Sequence, residues 1–260
     1  MLEVKELKVE FDKVKVLDNV NIDVNDEKVV LVGPNGSGKS TLFKAILGLA
    51  PIASGSIKVF GNDVRNAKEV IKVSTNLAEV YRLANLNVAD IIEIYSELKG
   101  EGNARAIQMI KEFELEDTLS KKLYQLSTGQ QKMVCNILAV NSKAELLLLD
   151  EPFDNVDQSR RRRFIELLKQ RDAEVLMSTH EFDLLRQLQD WKLCFMLEGK
   201  LWGKFEVSQL ERLYVSKGKV EGALAIMETS PGVFSVTLDK GDVQVKNATN
   251  LSSLLEAAAE

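Results

Sequence analysis

The octapeptide GPNGSGKS, Gly33 to Ser40, constrains this chain more than any other stretch. It lies between a short continuous apolar run, KVVLV at 28–32, and a segment with helical spacing, TLFKAILGLA. The apolar run suits a strand buried in a parallel sheet. Strand, glycine-rich loop and helix in that order let the backbone wrap closely, so that successive N–H groups converge on phosphate oxygens. The helix directs its positive N-terminal end at the same point. Gly33, Pro34, Asn35, Gly36, Ser37 and Gly38 make the cradle, and Thr41 completes the binding set behind Ser40. Lys39 neutralises β- and γ-phosphates, and the Ser40 hydroxyl is placed to ligate Mg²⁺. A chance glycine-rich turn would not also carry Lys-Ser in register. Nucleotide binding is the first expectation.

LLLLDEP, residues 146–152, supplies the second half of a site. Four leucines followed by Asp150 put a carboxylate at the C-terminal end of a buried strand, the edge along which open α/β sheets bind ligands. Asp150 is therefore placed to hold Mg²⁺ through its water shell. Glu151 adjoins it as a general base for an attacking water. EVLMSTHE repeats the pattern, an apolar strand followed by the chain's single histidine, His180. There it is placed to hydrogen-bond the γ-phosphate or the attacking water.

Around these motifs the chain alternates strands and helices, which implies a mostly parallel, helix-flanked sheet. Residues 2–11 and 16–24 read as N-terminal strands of alternating character, and GSIKVFG at 55–61 as another. From about 77 to 143 the segments VADIIEIYSEL, ARAIQMIKEFE and QQKMVCNILAVN read as a helical insert. Past 216, VFSVTL and DVQVK flank Asp-Lys-Gly and suggest a hairpin, and LSSLLEAAAE a terminal helix. RRRR at 160–163 reads as an exposed helix face.

The fold class expected is α/β: a P-loop NTPase core with an N-terminal antiparallel β region, an inserted helical subdomain and a small C-terminal α+β tail. The division expected is an ATPase domain over 1–215, with the insert at 77–143, and an appendage over 216–260.

LSTGQQ, residues 126–131, joins the phosphate loop, LLLLDEP, the NVD that follows it, and STHE. Together they resemble the nucleotide-binding subunits of the ABC (ATP-binding cassette) superfamily, across roughly residues 1–215. The resemblance implies that Ser127, Gly129 and Gln130 reach across a dimer interface to the γ-phosphate of ATP held by a partner. A hydroxyl, a close-approaching backbone and a helix N-terminus make a second anion site, so the physics agrees. Thr128 stands where the family usually has Gly. Asp157 matches the dimer-interface aspartate, with Asn155 in place of the usual small residue. Phe11 matches the aromatic that stacks on adenine; read from the residues alone, it also continues the apolar face of Leu7 and Val9. The loop that usually carries a metal-sensing glutamine has none in KVSTNLAEVYRLANLNV. Asn76 is the nearest equivalent, one methylene shorter, and Glu79 the other candidate.

What this implies is an ATPase with ATP and Mg²⁺ as cofactors. It would close head to tail with a second ABC ATPase domain, a homodimer or close paralogue, to drive separate transmembrane subunits from the cytoplasmic face. The alternative is a soluble ABC-type ATPase of an assembly, repair or translation system. A net charge of −5 argues against nucleic acid as the main partner. Cys135 and Cys194 sit in apolar company, as buried thiols of a reducing compartment do. MLEVKELKVE lacks the apolar core of a signal peptide. No segment approaches the roughly 18 apolar residues of a membrane span, so a soluble chain is expected.

Overall fold

The computed structural model describes residues 1–66, 70–82 and 85–260. Positions 83 and 84, within the expected helical insert, lie outside the described residues. Two compact units divide the chain: Met1–Ala67 with Ser178–Glu260, and Lys68–Met177.

In the first unit, β1 (Leu2–Phe11) and β2 (Val14–Val24) form an antiparallel hairpin, with Phe11 opposite Val14. Asp12 and Lys13 make its turn with φ of 49° and 69°, the doubly left-handed geometry whose twist matches flanking strands. β3 (Lys28–Val32) leads into the phosphate loop and α1 (Lys39–Ile46). β4 (Ser54–Val59) and β5 (Asn62–Asp63) complete a four-stranded antiparallel sheet in the order β2-β1-β4-β5. Leu2, Leu7, Val9, Leu17, Val20 and Ile57 are fully buried. Register irregularities between Val4 and Leu7, with Glu6 at φ of 49° and Asn19 at 58°, reset the alternation so that residues an odd number apart are both buried.

The second unit holds β6 (Val73–Thr75), α2 (Ala78–Tyr81), α3 (Val88–Leu98), α4 (Asn103–Glu112) and α5 (Thr128–Val140). β7 (Leu146–Leu149), α6 (Gln158–Gln170) and β8 (Glu174–Thr179) follow, β8 ending in the first unit. β6, β7 and β8 are parallel neighbours. All four leucines of β7 are buried, each worth about 1.5–3 kcal/mol of transfer free energy. That burial explains why the run carries no alternation. Helix starts are set locally: Asn87 with Asp90 and Ser127 with Gln130 form capping boxes, and Asp157 caps α6.

Back in the first unit, β9 (Lys192–Leu197) runs parallel to β3 and antiparallel to β10 (Lys200–Glu206). β11 (Leu213–Lys217), β12 (Ala225–Thr229), β13 (Gly232–Leu238) and β14 (Val243–Gln244) form an antiparallel sheet, joined by α7 (Leu251–Ala259). Its order is β12-β13-β11-β14. The hairpin expected across Asp-Lys-Gly does not form, because β11 lies between β13 and β14. Gly241 lets the connection cross β11: a Cβ there would stand 2.5 Å from Tyr214 Cβ. The tight hairpin is β12–β13, with Thr229 opposite Gly232.

Candidate active site

In the first unit the phosphate loop leaves β3 buried and pinned. The Gly33 N–H donates to the Thr179 carbonyl at 3.2 Å, and a Cβ at Gly33 would lie 1.9 Å from the Met196 carbonyl oxygen. Gly38 has φ of 107° and packs against Leu17, whose Cδ2 a Cβ would meet at 2.7 Å. Only glycine fits either position. Gly38 is also the N-cap of α1, so no side chain accepts from the first turn. The N–H groups that helices usually satisfy with a cap remain for an outside anion.

Lys39, buried, folds its ammonium back onto the loop and donates to the Gly33 and Pro34 carbonyls at 2.6 and 2.9 Å. The Ser37 hydroxyl is buried in the same cradle without a hydrogen-bond partner, and its backbone carbonyl accepts from the Gly199 N–H at 2.9 Å. A convergent set of amides, an ammonium and an unmatched hydroxyl fits a phosphate chain. Asn35, Gly36 and Ser40 are exposed and Thr41 half-buried at the loop's outer side. His180 follows Thr179 directly, so the bond from Gly33 to Thr179 ties the histidine's strand end to the start of the loop. Phe11 leaves the core face that Leu7 and Val9 occupy: the residue is 43% exposed at the hairpin tip.

In the second unit the end of β7 presents Asp150, buried, and Glu151, half-buried. Glu151 has φ of 43°, a left-handed conformation that a non-glycine residue adopts only where its surroundings enforce it. Asn76 is buried, and its amide is committed to the backbone of Asp150. Its Oδ1 accepts from the Asp150 N–H at 2.7 Å, and its Nδ2 donates to the Asp150 carbonyl at 3.2 Å and to Asn136 Oδ1 at 2.8 Å. A metal placed on Asn76 would have to displace the first of these bonds. Glu79 is exposed on α2.

Ser127 is exposed, and its hydroxyl accepts from the Gln130 N–H at 3.2 Å while Gln130 Oε1 accepts from the Ser127 N–H. LSTGQQ therefore builds a helix start. Gly129 is fixed by contact: a Cβ there would fall 2.3 Å from the Asn155 carbonyl oxygen. Asp157 caps α6 through the Arg160 N–H at 3.0 Å, and that bond, with the Arg160 charge, lowers its pKa. Arg160 also donates to the Phe113 and Glu114 carbonyls at 2.7 and 3.1 Å. The arginine run thus does more than line a solvated face: Arg160 and Arg163 cap the carbonyl end of α4.

Lys132 and Asn136, both on α5, were not among the residues expected from the sequence, yet they hold the Asp150 and Pro152 carbonyls at 2.9 and 2.7 Å. The signal for Asn136 was a lone amide in the apolar run MVCNILAV.

A glycine-built anion cradle and strand-end carboxylates define a P-loop ATPase. The family model for ABC transporters matches residues 17–154. The chain belongs to that family, as an ATP-binding, ATP-hydrolysing subunit. It is 29% identical over 229 residues to the manganese transport system ATP-binding protein MntB of Bacillus subtilis (strain 168), covering 82% of this chain and 92% of that protein. It is 28% identical over 205 residues to the lantibiotic transport ATP-binding protein SrtF of Streptococcus pyogenes, covering 77% and 89%. The crystal structure of ST1066, described as a candidate cobalt transport ATP-binding protein (cbiO-2), superposes with a TM-score of 0.90. The two are 34% identical, with 99% of this chain and 100% of that one covered. Among the described residues, no helix is long and apolar enough to cross a membrane.

Proposed function

We propose that this subunit pairs head to tail with a second cassette around two ATP molecules and drives transmembrane subunits from the cytoplasmic face of a membrane. Each site takes Lys39, Ser40, Asp150, Glu151 and His180 from one chain and Ser127 and Gly129 from the other. Gln130 and Asp157 support that junction, and Phe11 stacks on adenine. Ser40 and Asp150 would hold Mg²⁺, whose charge offsets that of the phosphates. Glu151 takes a proton from the attacking water and His180 orients the γ-phosphate. ATP bridges the two chains, so hydrolysis removes a ligand that favours the closed state. The ATPase domain is taken as 1–215 and the appendage as 216–260.

The observation that carries this reading is the exposed Ser127 at the capped start of α5. An exposed helix N-terminus is a ready place for an anion, and the phosphate loop already supplies one of its own. The similar identity to relatives named for manganese and for lantibiotic transport supports a motor whose cargo is chosen by its membrane partners.

The test is Glu151→Gln on a sizing column with and without ATP. Removing the base while keeping the binding groups should give an ATP-dependent dimer in the variant and abolish phosphate release. Hydrolysis at the wild-type rate in Glu151→Gln would overturn the assignment of the base. A variant that binds ATP yet stays monomeric would overturn self-pairing and point to a paralogous partner.

A further inference from the structure

We propose that Asn76, Lys132 and Asn136 form a positioning clamp that sets the conformation of Glu151 by holding the backbone of the residues on either side of it, Asp150 and Pro152. The proposal rests on the reading of Glu151 as the general base. The left-handed φ of 43° at Glu151 needs external support, because β-carbon crowding disfavours it. That torsion is bounded by the peptide joining Asp150 to Glu151. Its carbonyl accepts from Asn76 Nδ2 at 3.2 Å and from Lys132 Nζ at 2.9 Å. The preceding amide, the Asp150 N–H, donates to Asn76 Oδ1 at 2.7 Å. On the far side, the Pro152 carbonyl accepts from Asn136 Nδ2 at 2.7 Å. Pro152 has no N–H, so this carbonyl is the one backbone group through which it can be held.

The three side chains act as one unit, since Asn76 Nδ2 also donates to Asn136 Oδ1 at 2.8 Å. Both asparagines are buried, Asn136 at 0% exposure amid the apolar half of α5. An amide there is costly unless every polar atom is bonded, and here each is. The clamp also gives a reason for asparagine at position 76. A glutamine's extra methylene would carry its amide past the Asp150 N–H that Asn76 now engages. Two of the three clamp residues lie on the helix that Ser127 begins, so the element carrying one candidate phosphate contact also orients the base.

The test is steady-state ATP hydrolysis by the full chain. Lys132 is half-buried, and Lys132→Met leaves the core intact; kcat should fall about tenfold with KM for ATP within about twofold. Asn136→Leu keeps the branched shape, in a larger side chain, but strips three bonds, and kcat should fall on the order of 10²-fold. Lys132→Arg, which keeps a donor, should recover most of the rate, as a purely steric role would not require. Lys132→Met in the Glu151→Gln background should still form the ATP-dependent dimer, since the clamp serves chemistry and not binding.

Unchanged kcat in Lys132→Met, or losses of rate and nucleotide affinity in equal measure, would overturn the clamp. If Glu151→Gln itself hydrolyses ATP normally, the base assignment fails and takes the clamp with it. An inert Glu151→Gln beside a fully active Lys132→Met refutes the clamp alone.

Discussion

Gly129 shows how one residue can carry two meanings. By resemblance it is a phosphate contact across an interface; by packing it is the point where the Asn155 carbonyl presses on α5, with 2.3 Å left for a β-carbon. Asn155 is itself held at φ of 57°, so the turn has little room to yield. Gly129→Ala should lower unfolding free energy by about 1–3 kcal/mol, the usual range for overpacking. Gly102, which faces open space, should change by less than about 0.5 kcal/mol on the same substitution. Chemical denaturation of the two variants checks this, and equal stabilities would mean that the Asn155 turn gives way. The phosphate-loop residues were legible in the sequence because their geometry is contiguous. Asn136 was visible only as an anomaly, because its partners lie far along the chain.

At the scale of elements, β6 shows how a sheet edge is protected. It pairs with β7 on one side, and the Lys99 ammonium covers carbonyls on its flank, donating to Ile71 at 3.1 Å and to Val73 at 2.5 Å. Covering an edge with a lysine is a recurrent device. Burial pushes Lys99 down to about 8. Below pH 8 both folded and unfolded chains carry the charge, so the full cost of burying it is present. As pH rises from about 8 toward the ordinary lysine value, the folded state releases its proton first and that cost fades. Wild type should therefore gain stability relative to Lys99→Met between pH 8 and 10, measured as the difference in denaturation midpoints. A difference that shrinks over this interval would show that the charge itself stabilises. Burial likewise pushes the Cys135 and Cys194 thiols up to about 12, which leaves both unreactive at neutral pH.

Element identities in the helical insert follow from periodicity and caps, whereas strand order in the tail does not. Nothing local tells DVQVK to pair with β11 and not with VFSVTL. In the fold, Gly241 leaves room for Tyr214 where the chain crosses β11, and the Arg212–Asp239 ion pair joins the ends of β11 and β13.

At the scale of the molecule, the residues past 216 are tied to the rest of the first unit at defined points. Both carboxylate oxygens of Glu198 accept from the Ser230 N–H at the β12–β13 turn, at 3.0 and 3.1 Å. The next residue, Gly199, donates to the Ser37 carbonyl. The Phe182 N–H also donates to the Thr249 carbonyl. Glu198→Ala should speed amide exchange at the β12–β13 turn while the β11–β13 pairing keeps its protection. Unchanged exchange at Ser230 would show that the turn is held by packing alone.

Taken by itself, the sequence determined whatever is encoded within a few residues: the phosphate cradle, the buried carboxylate-bearing strand, the helix caps and the family to which they belong. The cradle, the strand and the caps rest on backbone geometry and short-range hydrogen bonds, so local spacing specifies them, while the family is read from the likeness of the motifs taken together. The tertiary structure decided which distant groups meet. Asn76 engages Asn136 and Asp150 across separations of 60 and 74 residues, and β11 inserts between two strands adjacent in sequence. Such contacts depend on how buried surfaces pack and on the need to satisfy every amide sealed from water, conditions that exist only once the chain has folded.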